Sequence, residues 1–157
     1  MLNRIFPKTA GNDAYRGSVL AIWLLVPIAL LRLVQGVNSI WHPRPMAAGA
    51  DGIPLESYGH AAGDMIVLLF ALLGLYLILM GLTAAVVLVR YRALIPLTYL
   101  LFLASLLGSR AISLLHPTGR GESTPIGFYI NMGLLAALAV GFVLSLVGKS
   151  SAAPEKE

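Results

Sequence analysis

Residues 65 to 89 run for 25 positions without a charged side chain, and three further stretches, about 18–38, 93–115 and 125–147, are apolar with few interruptions. Roughly 20 such residues in a helix cross the hydrocarbon of a bilayer, which is about 30 Å thick. Within lipid, only a helix or a closed barrel satisfies its own backbone. The four stretches predict an all-α fold, a four-transmembrane-helix up-down bundle forming a single integral membrane domain over residues 1–157. Composition agrees: 58% of residues are hydrophobic and 11% charged, against about 25% charged in soluble domains.

The net charge is +4, but the Lys and Arg stand in ones and twos beside the apolar stretches, with no basic run for nucleic acid. They read as topology signals. One side of the predicted bundle holds seven of them, Arg4, Lys8, Arg16, Arg90, Arg92, Lys149 and Lys156, and the other holds Arg44 and Arg120. The positive-inside rule then places both termini in the cytoplasm. The charged leader before residue 18 is long, and the apolar stretch after it continues past Arg32 with no small-residue cleavage site close behind, so the first stretch reads as a span and not a signal peptide. Pro27 predicts a kink within it. The tail 148–157, GKSSAAPEKE, has the composition of a disordered end. Cysteine is absent, which removes disulfides, thiolate metal sites and cysteine nucleophiles.

Polar residues interrupt the spans in a pattern. Arg32, Gln35, Asn38 and Ser39 follow helical spacing near the outer end of the first span, and Glu56, His60 and Asp64 follow i, i+4, i+8 at the entry to the second. Ser105, Ser109 and Ser113 repeat the spacing in the third, with Arg110 and His116 beside them, and Tyr129 and Asn131 open the fourth. The expectation is one polar level in the outer leaflet, with Asp64 pairing Arg32 or Arg110 and His42 in a flexible loop. An ion in hydrocarbon normally faces the bundle interior, a partner or water. The candidate ligand-binding set is Arg32, Gln35, Asn38, Glu56, His60, Asp64, Arg110, Ser113, His116 and Asn131. Its guanidinium groups could fork onto a carboxylate, an anionic head group or a quinone carbonyl. The bland alternative is that both arginines snorkel to the head groups while the other residues close the bundle with hydrogen bonds.

Specific chemistry is harder to find. His42, His60 and His116, with Glu56, Asp64 and Glu122 as oxygen donors, match no metal-binding spacing, and no metal is expected. There is no GxSxG, Walker A or GxGxxG motif, and no catalytic residue is assigned. Small residues suggest two helix-contact faces, Gly59 with Gly63, and Gly133 with Ala137 and Gly141, read as contacts within the chain more than between copies.

The Tyr58-Gly59-His60 entry to the second span, the Arg90-Tyr91-Arg92 turn and the segment GSRAISLLHPTG at 108–119 resemble small four-helix bacterial inner-membrane proteins, DoxX-like or of unknown function. The outline covers residues 15 to 148. The best local match is Gly108, Ser109 and Arg110 followed by Ile112, Leu114 and Leu115, similar to a glycine–arginine element in those families, with Ser109 separating the two residues here. The resemblance implies an accessory or redox-associated membrane role and supplies no catalytic residue. Three readings result. The first is a noncatalytic accessory or interaction subunit of the bacterial inner membrane, with the bilayer, a larger membrane protein or a second copy as partner. The others are a lipid- or quinone-binding subunit of a membrane oxidoreductase, without another cofactor, and a small transporter.

Overall fold

The computed structural model describes residues 15–116 and 126–147. Among them the regular structure is entirely helical, with four long helices: α1 (Val19–Trp41), α2 (His60–Arg90), α3 (Ile95–Leu115) and α4 (Ile126–Leu146). All four are long and apolar enough to cross a membrane, α3 together with the tight turn Arg92–Leu94 before it. The chain is thus a multi-pass membrane protein by length and composition. At about 1.5 Å per residue, α1, α3 and α4 match a bilayer core, whereas the 31-residue α2 exceeds it by about three turns.

Local chemistry explains the helix ends. Ser18 caps α1, its hydroxyl accepting from the Leu20 N–H. The helix continues through Pro27 to Trp41, and His42, which precedes Pro43, ends it. The following connection is structured: short helical turns at Pro43–Pro45, Met46–Ala50 and Leu55–Ser57 flank a turn at Gly52 with positive φ (66°). His42 therefore sits at a helix cap beside an ordered connection, not in a flexible loop. α2 starts at His60, five residues before the apolar run, because the polar segment ahead of that run joins the helix. Pro96 lies in the first turn of α3, where its missing N–H has no helical partner to lose.

The closest crossing is between α1 and α2. A Cβ added at Gly36 would lie 2.7 Å from the Gly74 carbonyl oxygen, and one at Gly74 would lie 2.7 Å from the Gly36 carbonyl oxygen. Seven residues along, Gly81 faces Leu33 and the Ala29 carbonyl. The register thus pairs 36 with 74 and 29 with 81, and the two helices cross with opposite chain direction. Absent side chains allow the backbones this approach, which favours packing where lipid supplies no hydrophobic drive. α3 and α4 form a second pair, Gly141 lying directly against the Tyr99 ring. The pairs share a core of Ala21, Leu25, Ala84, Ile95, Phe102 and Leu138, among others. Their junction is tied by the Tyr99 hydroxyl, which donates to the Ala21 carbonyl (2.7 Å), and by the Ser18 N–H, which donates to the Leu144 carbonyl (3.1 Å).

Of the glycines expected to form contact faces, Gly141 and Gly63 are buried, but Cβ atoms at Gly59 and Gly133 would meet nothing. The close contacts lie instead at Gly36, Gly74 and Gly81, and at Gly127, where a Cβ would meet the Ala50 carbonyl at 2.7 Å.

Candidate functional site

The polar residues do not converge on one level. They divide into three groups. The first lies at mid-depth. Ser105 is the midpoint of α3, Tyr76 is one residue from the midpoint of α2 and Arg32 two from that of α1. Arg32 is 8% exposed and donates to Gln35 Oε1 at 3.5 Å. The Tyr76 phenol lies within its electrostatic reach and shares a 2.7 Å hydrogen bond with the Ser105 hydroxyl. Arg32 is therefore folded into the bundle and does not snorkel. Ser39, seven residues on, is buried on the same face against Gly74, whereas Asn38 is exposed. At about 100° per residue, six residues turn Asn38 away from Arg32, while seven return Ser39 to it.

The second group sits where α2 extends beyond the apolar run. Asp64 pairs with Arg44, Nη2 to Oδ1 at 2.5 Å, with both side chains about two-thirds exposed (62% and 67%). The expected pairing with Arg32 or Arg110 is thus corrected. The α1–α2 register explains why: it brings Asp64 level with Met46, next to Arg44, and Arg32 level with Ile78. Glu56 lies in the turn before α2, so only His60 and Asp64 share the helix. Arg44, Leu55, Glu56, Tyr58, His60 and Gly63 line an open cleft of about 640 Å³.

Arg110 forms the third group. Its guanidinium lies 4.6 Å above the Phe128 ring centroid and contacts Met132 Sδ at 3.8 Å, a cation–π seat between α3 and α4. Asn131 is half-buried on the same helix as Phe128, and Ser113 and His116 are exposed near the end of α3. Arg120, Glu122 and the tail lie outside the described residues.

Hydroxyl groups elsewhere are engaged locally. Ser109 and Ser113 donate to the carbonyls four residues back, as do Thr83 and Thr98, and Ser145 donates to Phe142. With Tyr99 on Ala21, every hydroxyl that could have begun a polar path through the other half of the spans has a protein acceptor. Among the described residues no three His, Asp or Glu side chains gather as metal ligands, and no carboxylate reaches Arg32 or Arg110.

The surface adds a feature that polar residues could not reveal. Leu68, Leu72, Leu75, Leu79, Leu82, Val86 and Val89 of α2, spaced alternately by four and three, are all exposed. They lie on the face α2 turns away from α1, beside the equally exposed Met65 and Leu69, the part of the helix offered to lipid or to another helix. Comparison with known proteins yields no match, whether to a family model, a curated protein or a solved structure.

Proposed function

We propose that this chain is a noncatalytic accessory or interaction subunit of the bacterial inner membrane, an up-down bundle with both termini cytoplasmic. The observation that carries this reading is the exposed row of Leu and Val along α2 on the side away from α1, a face that another transmembrane helix can cover in place of lipid. The polar groups support it by their employment: Asp64 on Arg44, Arg110 on Phe128 and the hydroxyls on carbonyls. None forms a nucleophile–base pair. Transport fits less well, because the polar side chains that a pathway would need are already engaged. The likeness to DoxX-like proteins is kept within this reading as a pointer to an accessory role.

The test is site-specific photo-crosslinking in intact cells, with a benzophenone side chain at Leu72 or Leu79 on this row and at Leu101 on the exposed face of α3 as comparison. The expected result is one discrete protein adduct from 72 and 79 that is absent from 101, its mass separating a second copy from another chain. Adducts to lipid alone at all three positions would overturn the proposal.

A further inference from the structure

The open cleft at the start of α2 holds ionic side chains that the bundle does not use. Its volume, about 640 Å³, is that of a small-molecule site. Arg44 and Glu56 both line it, yet they do not pair with each other; Arg44 is bridged instead to Asp64. That bridge occupies one Nη of a guanidinium with five N–H donors, on a side chain 62% exposed. Glu56, exposed in the turn Leu55–Ser57, has no ion-pair partner among the described residues. The cleft thus presents a cation with spare donors and a carboxylate without a partner, close together but not joined.

The start of α2 sets its depth. The helix begins five residues before the apolar run at Met65, so the cleft stands about 7 Å beyond the hydrocarbon edge at 1.5 Å per residue, in the head-group layer. Tyr58 in the cleft and Trp41 at the end of α1 are exposed aromatics at this end, the residue types of a membrane interface. Directly below, Met65, Leu68 and Leu69 are exposed to lipid.

From this arrangement we infer that the cleft binds the zwitterionic head group of phosphatidylethanolamine. Arg44 forks onto the phosphate oxygens, the ammonium donates to Glu56, and the acyl chains descend past Met65, Leu68 and Leu69. Charge selects the class. Arg44 stands with two carboxylates, Glu56 and Asp64, so a head group carrying only negative charge meets net repulsion. A quaternary ammonium has no N–H to give Glu56, which disfavours phosphatidylcholine. Free phosphoethanolamine shares the head-group chemistry, and the exposed apolar residues below the cleft favour the lipid.

The experiment titrates the full chain, delipidated in detergent, with dioleoyl phosphatidylethanolamine, phosphatidylglycerol and phosphatidylcholine and with free phosphoethanolamine, read by native mass spectrometry. The ethanolamine lipid is expected to be retained at one per chain and severalfold more tightly than the other three ligands. Arg44→Gln should weaken it about tenfold, the low end for hydrogen bonds to charged groups because the site is open to water. Glu56→Gln should erase its advantage over the choline lipid while leaving choline-lipid binding unchanged, a change of selectivity that a structural role would not produce. Both replaced side chains are exposed, so both variants should melt with wild type, and Arg90→Gln at the far end of α2 should bind as wild type does. No retention, equal retention of the three lipids, full affinity in Arg44→Gln, or an ethanolamine preference that survives in Glu56→Gln would overturn the site. Phosphoethanolamine binding as tightly as the lipid would overturn the lipid as its occupant. No protein partner takes part, so the result stands or falls separately from the crosslinking.

Discussion

At Gly36 and Gly74 each glycine faces the other's carbonyl oxygen, and no side chain can retreat to make room for a methyl group. Gly74→Ala should therefore lower stability by about 1–3 kcal/mol, the usual cost of overpacking, measured by unfolding in mixed micelles. Gly133→Ala, placed in open space, should leave stability unchanged or slightly raised. Tyr99→Phe removes the bond that ties α3 to the first turn of α1, and should cost about 1 kcal/mol. Tyr15 sits just before α1, where burial disfavours its phenolate and pushes its pKa from 10.0 up to about 12. Because the unfolded chain ionises this phenol first, its contribution to stability is complete below pH 10 and is lost as the pH rises through about 12. A melting-temperature profile of wild type should fall more steeply over that window than one of Tyr15→Phe; parallel profiles would remove Tyr15 from the linkage.

Among the elements, the existence of four helices and their approximate limits were legible because a bilayer-length apolar run has few other structural solutions. Which faces meet was not. α2 is apolar on all sides, so periodicity could not separate its glycine face from its lipid face; the seven-residue spacings Ala29–Gly36 and Gly74–Gly81 were the available signal. The candidate site suffered in the same way. Helical spacing alone placed Arg32 and Ser105 toward the outer end, while helix lengths put them at mid-depth, and Tyr76 was missed because it looked like one aromatic in an apolar run. The Asp64 partner depended on the α1–α2 register, which no local pattern encodes. Since the Arg44–Asp64 pair is largely exposed, Asp64→Asn should cost less than about 1 kcal/mol, and the difference should shrink further in high salt.

For the molecule as a whole, two helix pairs share one core, and the proposed partner surface is the exposed row of Leu and Val along α2. The proposed function also carries a polarity, with the connection after α1 outside the cell and both termini inside. The cysteine-free sequence makes this directly measurable: single cysteines at Ala48 and at Ser151, probed with a membrane-impermeant maleimide before and after lysis of spheroplasts. The expected result is labelling of Ala48→Cys in intact spheroplasts and of Ser151→Cys only after lysis. The reverse pattern, or labelling of both from outside, would contradict the proposed arrangement of the four helices in the membrane.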